Sequence, residues 1–238
     1  MNNIYDFIVI GAGISACTFA SCLNKRFSDA SILLVEHGRR LGGRATTRRS
    51  RKNTILEYDH GLPSISFSKH ISQDILTLIS PLIDSKKLLE ISDEILLIDQ
   101  FGILNNAFIT EKVFRCVPFM TNFCEGIINQ SINPKKIDFL FQVLIKKINR
   151  INNIWEIEVD KGRFIQSKNL ILSSSLIVHP RCFQILKTNT LPLREALILG
   201  EDKVVDSVLK ETKKLNYIQR KTYILYVTDY AAVENFSY

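Results

Sequence analysis

The chain has 238 residues, 46% of them hydrophobic, which is enough apolar material for one large or two small packed domains, and it contains no run of 18 apolar residues that would span a membrane. Its five cysteines, Cys17, Cys22, Cys116, Cys124 and Cys182, are odd in number and form no Cys-x-x-Cys pair, which argues against a disulfide framework or a zinc site and for reduced, buried thiols. The formal net charge of +7 is carried by one segment, with Arg39, Arg40, Arg44, Arg48, Arg49, Arg51 and Lys52 lying between His37 and Lys52 and no acid among them, so the excess describes one solvated loop and not a nucleic-acid-binding face.

The first predicted element is a strand, Tyr5 to Ile10, whose continuous apolar run suits a central parallel strand buried on both faces. It stops at Gly11-Ala12-Gly13, and a helix follows from Ile14 to Lys25. Small residues at its start, Ser15, Ala16 and Cys17, let that helix lie close to the strand, and Ala16 fills the third position of a G-x-G-x-x-G fingerprint, where the need is packing. A second buried strand, Ser31 to Val35, ends at Glu36, 23 residues after Gly13. Such a strand, turn and helix aims unpaired N–H groups at a pyrophosphate, and an acid at the second strand tip accepts from ribose hydroxyls. Gly11, Ala12, Gly13, Ile14, Ser15 and Glu36 are therefore candidate dinucleotide-binding residues. The competing reading is a tight turn with no ligand.

The next residues, Arg40-Leu41-Gly42-Gly43-Arg44, form an R-x-G-G-R element directly behind the ribose acid. With it the chain resembles the flavin-dependent amine oxidase superfamily. The resemblance implies FAD as cofactor, with Gly42 and Gly43 allowing close backbone approach and Arg44 contacting the FAD; a guanidinium beside a pyrophosphate makes charge-assisted bonds. Tyr58-Asp59-His60-Gly61 is similar to the renalase-like branch, where this segment passes the flavin ring. Gly61 and His60 are then expected to line the flavin, a catalytic His60 being the alternative.

Between residues 62 and 116 the spacing of Ile71, Ile75, Leu78, Ile79 and Leu82 predicts a helix, while Ile95 to Ile98 and Ala107 to Ile109 read as strands. Val117-Pro118-Phe119-Met120-Thr121 opens a short helix through Ile128 with Thr121 as N-cap, and the resemblance places a Pro-x-Met helix start here. From Ile137 the pattern is all strand: Phe139 to Ile148, a turn at Asn152-Asn153, Ile154 to Val159, a turn at Lys161-Gly162, and Arg163 to Ser173. Trp155 reads as core. The resemblance implies that this β-meander is inserted into the cofactor sheet and that Ile145 meets the adenine. Ser173-Ser174-Ser175 reads as a strand-end loop, since no G-x-S-x-G elbow surrounds it. Helices are predicted over Cys182 to Leu186 and from Leu191-Pro192-Leu193, and a strand over Tyr223 to Val227.

The expected fold is α/β: a Rossmann-like FAD-binding domain with a parallel sheet and inserted meander, formed by 1–61 and 117–178, and a discontinuous α+β substrate-facing domain of 62–116 and 179–238. The superfamily continues into a Gly-Asp segment for which Gly200-Glu201-Asp202 is the nearest and an inadequate string, so a C-terminally truncated member is expected. With no basic leader before the first strand, the location expected is cytoplasmic. The function implied is an FAD-dependent oxidoreductase taking hydride from an amine-like or reduced nicotinamide-like small molecule, with no side chain named as catalytic and no metal. The alternative is a non-catalytic dinucleotide-binding protein or a fragment completed by another chain. An NAD-dependent dehydrogenase is disfavoured by Gly42-Gly43-Arg44.

Overall fold

The computed structural model describes residues 4–50, 56–68, 70–91, 96–98, 101, 103–106 and 111–216. The sequence-predicted strand over Tyr223 to Val227 and that over Ala107 to Ile109 lie outside these residues, as do Arg51 and Lys52.

The chain opens with β1 (Ile4–Ile10), α1 (Ile14–Arg26) and β2 (Ile32–Glu36), then the short strands β3 (Thr47–Arg49), β4 (Glu57–Asp59) and β5 (Ile65–Phe67). It continues through α2 (Gln73–Asp84), β6 (Leu88–Glu90), β7 (Leu96–Ile98), β8 (Leu104–Asn106), β9 (Lys112–Cys116) and α3 (Thr121–Ile128). Next come β10 (Ile137–Phe141), β11 (Lys147–Ile151), β12 (Ile154–Val159) and β13 (Arg163–Leu172), and finally α4 (Cys182–Leu186), α5 (Pro192–Ala196) and α6 (Lys203–Lys213).

The organising element is a six-stranded sheet in the order β10-β2-β1-β13-β12-β11. Its first four strands are parallel and the last three form an antiparallel meander. β13 belongs to both halves: Arg163 to Ser167 pair with β12, and Gln166 to Leu172 pair with β1. The fold is thus a Rossmann-like α/β sheet with a meander built onto it.

Side-chain alternation divides the core between two faces. Val9, Ile32, Leu34 and Ile137 point to the side covered by α1 and α3, where they meet Ala16, Cys17, Ala20, Phe123 and Ile127. Ile8, Ile10, Leu33 and Val35 point to the other side, against Val143, Ile145, Ile148, Ile157, Val159 and Ile177. Burial on both faces explains why β1 and β2 read as unbroken apolar runs. The three-stranded sheet β5-β9-β6 and α2 extend the first core, through Ile79, Leu82, Leu88 and Phe114.

Several sequence expectations need correction. Phe139 to Ile148 is not one strand: Gln142 takes φ +59°, donates from its amide to Gly38 O, and Val143 N donates to Glu36 O, so the chain leaves the sheet before β11 begins. Residues 137–141 are therefore the outer parallel strand beside β2 and no part of the meander. Ser15 is exposed, and the close packing of α1 rests on Ala16, Cys17 and Ala20. Cys22 is exposed, unlike the other four thiols, and all five are free. Trp155 is half-buried with Arg150 stacked 5.3 Å from its ring centroid. The C-terminal half of β13 pairs in parallel as expected but is only half-buried, Leu172 being 36% exposed.

Thr121 does not cap α3. The N-cap position is Met120, and the cap comes from outside the helix, where Asp59 accepts from Met120 N with both carboxylate oxygens at 3.1 Å. Two other helix starts are capped from within: Ser72 accepts from Ile75 N at the head of α2, and Asp202 accepts from Val204 N and Val205 N at the head of α6. Gly200-Glu201-Asp202 is thus a helix cap. No helix among the described residues is long and apolar enough to cross a membrane.

Candidate functional site

At the C-terminal edge of the parallel strands, β1 turns into α1 through Gly11-Ala12-Gly13. Gly11 takes φ +105°, and a Cβ there would press at 3.3 Å on Ser173 and Ser174, so glycine is required both for the turn and for the neighbouring strand end. Gly13 is the N-cap of α1, contributes no side chain, and no acid occupies the first turn. The first amides of a 13-residue helix are therefore left with their partial positive charge facing outwards, which is an anion-binding arrangement.

Glu36 ends β2 beside this loop. Its Oε2 accepts from Ala12 N at 2.9 Å and its Oε1 from Gly38 N at 2.6 Å. One carboxylate thereby fixes the Gly11–Gly13 backbone to the turn after β2. Each oxygen keeps lone-pair capacity for a further donor such as a ribose hydroxyl. A cavity at this tip is lined by Gly11, Glu36, His37, Val143, Ile145 and Ser174. Val143 and Ile145 give it an apolar floor, because the chain leaving β10 folds back over the strand ends.

The Gly42-Gly43 doublet docks on the Gly11–Gly13 turn itself. Gly42 N donates to Ala12 O at 2.8 Å, Gly13 and Gly42 form an isolated parallel bridge, and a Cβ on Gly43 would stand 3.1 Å from Gly13 Cα. Gly42 takes φ +117°. Arg44 follows in a 3-10 turn, Gly43–Ala45, and is exposed. Gly61 lies against the Arg44 carbonyl so closely that a Cβ would overlap it. His60 Nδ1 is 3.1 Å from Thr46 O, a carbonyl that accepts from the ring.

The structure thus gathers Gly11, Ala12, Gly13, Glu36, Gly42 and Gly43 through direct contacts, with Ile14 and Ser15 in the first turn of α1 and Ile145 in the adjoining cavity. Arg44, His60 and Gly61 form a second group joined to the first through the doublet.

The basic run is partly neutralised: Glu57 pairs with Arg49 at 2.7 Å and Arg40 at 3.2 Å. The hydrogen bond from Arg49 is the main cause holding the Glu57 carboxyl below its usual range, with the Arg49 and Arg40 charges adding to it. Sequence reasoning missed this acid, which lies outside the run but is brought to it by the pairing of β3 with β4. It also missed Thr47 and Asp59 as hydrogen-bonded partners. The one available signal was an acid and a hydroxyl on two short strand-like runs.

A more open depression lies at the opposite rim of the sheet, among Asp6, Phe7, Arg26, Phe27, Asp29 and Asn169. Its polar groups serve one another: Asp6 binds Lys168 and Ser31, and Asn169 donates to Asp6 O. Among the described residues no cluster of His, Cys, Asp and Glu is placed to hold a metal ion.

Residues 9–79 match the family of NAD(P)-binding Rossmann-like domains. A search of the curated proteins finds no match to the chain. Among solved structures, a protein from Exiguobacterium sp. 255-15 assigned provisionally as a protoporphyrinogen oxidase superposes with a TM-score of 0.54 at 14% identity, over 83% of this chain and 64% of its own. The tetracycline destructase Tet(51) gives 0.49 at 15%, over 74% and 40%. The OTEMO complex with FAD and NADP gives 0.43 at 16%, over 71% and 25%. The first of these shares the fold, and the present chain spans less than two thirds of its length.

Proposed function

We propose that the chain binds FAD and serves as an FAD-dependent oxidoreductase of the renalase-like type, acting on an amine-like or reduced nicotinamide-like small molecule. The observation that carries this reading is the docking of Gly42-Gly43 on Gly13 at the uncapped start of α1, with Glu36 at the neighbouring strand tip. The fit is supported by a glycine cradle that any Cβ would fill, by an apolar cavity at Ile145, and by a donor set suited to a pyrophosphate.

FAD, when bound, supplies the two-electron acceptor for a hydride. The chain's own residues bind and orient. The first-turn amides of α1, including those of Ile14 and Ser15, meet the pyrophosphate; Glu36 accepts from the ribose; Ile145 backs the adenine; Arg44 adds a guanidinium to the phosphate charge; His60 and Gly61 line the ring. No side chain has to move a proton for hydride transfer to occur. Residues 1–61 and 117–178 form the cofactor domain in this reading, and 62–116 with 179–238 face the substrate. Five free thiols suit a cytoplasmic location. The pairing of Arg40 and Arg49 with Glu57 suits a site for a small anionic cofactor better than a nucleic-acid surface.

A second reading is dinucleotide binding without turnover, favoured because the directly bonded residues, Ala12, Glu36 and Gly42, all lie on the side of the site proposed for the pyrophosphate and ribose. Reconstitution with FAD followed by assay against amines and reduced nicotinamides separates the two. Oxidation of either donor supports the first; retained FAD with no oxidation supports the second.

A further inference from the structure

We propose that Asp59, Thr47 and Thr121 form a hydrogen-bonded bracket whose task is to place the Leu41–Gly43 segment against the Gly11–Gly13 loop, which makes them positioning residues of the dinucleotide site. The inference rests on the reading of that site given above.

The bracket is a chain of direct bonds. Thr47 and Asp59 face each other across β3 and β4, and Thr47 Oγ1 donates to Asp59 Oδ1 at 2.6 Å. The same Asp59 carboxylate accepts Met120 N, so a negative charge sits at the start of α3, where the helix dipole favours it. Thr121 N donates to Thr47 Oγ1 at 3.1 Å, which completes the hydroxyl's donor and acceptor roles. Thr121 Oγ1 then reaches away from its own helix and donates to Leu41 O at 2.8 Å. One residue on, Gly42 N donates to Ala12 O, and Ala12 N donates to Glu36.

Each step between segments on the way from Asp59 to the Gly11–Gly13 loop is therefore a hydrogen bond. The inner ones are dry: Thr47 is 2% and Thr121 4% exposed. A buried hydroxyl that both donates and accepts, as Thr47 Oγ1 does, fixes direction as well as distance, and a buried donor such as Thr121 Oγ1 is costly to leave without its acceptor. The bracket also accounts for Asp59 in the Tyr58-Asp59-His60-Gly61 segment. Its carboxylate faces α3, so its effect on the site is exerted through the backbone placement of His60-Gly61 and of Leu41–Gly43.

The test uses the full chain as wild type, Thr121→Val, Thr121→Ala, Thr121→Ser, Thr46→Val and, as a control, Thr77→Val, whose hydroxyl bonds Gln73 O on the exposed side of α2. Amide hydrogen exchange at Gly42 is read without ligand, and ADP and FAD affinities by calorimetry. In Thr121→Val the Gly42 amide should exchange about tenfold faster and the ADP Kd should rise about tenfold. Thr121→Ser should restore both, and Thr77→Val should alter neither. Thr46 Oγ1 donates to the same Leu41 carbonyl at 2.9 Å from outside the bracket, so Thr46→Val should give a smaller acceleration, and Thr121→Ala carries the test if Thr121→Val does not fold. Wild-type protection of Gly42 in folded Thr121→Val, or in Thr121→Ala where only that variant folds, overturns the bracket. Wild-type protein that binds neither ADP nor FAD while the exchange effect is present overturns the dinucleotide reading instead.

Discussion

Gly61 lies on the backbone carbonyl of Arg44, and nothing larger than hydrogen fits between them. This contact joins the segment after β4 to the turn after Gly42-Gly43, and a backbone oxygen in a docked turn has little room to yield. Gly61→Ala should destabilise the chain by about 2–3 kcal/mol through overpacking. The urea midpoint should fall with the slope unchanged, and ADP affinity should weaken with it. An unchanged midpoint would mean that the turn can give way.

Glu36 holds two backbone amides and is also the proposed ribose acceptor. Hydrogen bonds to a charged group are worth about 1.5–3 kcal/mol each. Glu36→Ala should therefore weaken ADP binding by roughly ten- to a hundredfold, and Glu36→Gln, which keeps one acceptor, by less. Calorimetric titration with ADP gives the comparison.

Asp6, at the far rim of the sheet, accepts from Lys168 and from Ser31, first the Lys168 bond and then the Ser31 amide holding its carboxyl down at about 2. The folded-state value lies below the unfolded one, so the ionised carboxylate stabilises the fold at neutral pH, and that contribution fades as pH falls from about 4 towards 2. The group is partly solvated, so its share is below about 1 kcal/mol. Asp6→Asn should flatten the acid limb of the stability profile between those pH values and leave ADP affinity at neutral pH unchanged.

The thiols differ in reach. Burial pushes Cys116 up to about 12 and raises Cys182, and the contact with Cys17 together with burial raises Cys124, while Cys22 is exposed on α1. A thiol reagent at neutral pH should modify one cysteine rapidly in the native chain and the other four only after denaturation. Loss of the fast phase in Cys22→Ser is the check.

Much of the fold was legible where local chemistry has a single solution. Gly11-Ala12-Gly13 after an apolar run gives the turn into α1, and Asn152-Asn153, at φ +50° and +64°, gives the tight hairpin between β11 and β12. The helix over Cys182 to Leu186 follows from His179-Pro180-Arg181. What stayed hidden depends on partners distant in sequence. Nothing near Gln142 announces that β10 ends there, because the break is fixed by bonds to Gly38 and Glu36 in another loop. Thr121 has the residue type of a cap, yet its hydroxyl is taken by Leu41 and the capping charge comes from Asp59, 61 residues before Met120. The glycine doublet was visible, but its docking on Gly13 was not, since spacing alone does not say which backbone approaches which.

The most direct measurement of the central claim is the visible absorption spectrum of the chain after incubation with FAD and removal of free ligand. The account predicts a retained flavin band that is displaced by excess ADP and weakened in Glu36→Ala. A folded wild-type chain that retains no flavin absorbance, and shows none at any FAD concentration tested, would contradict it.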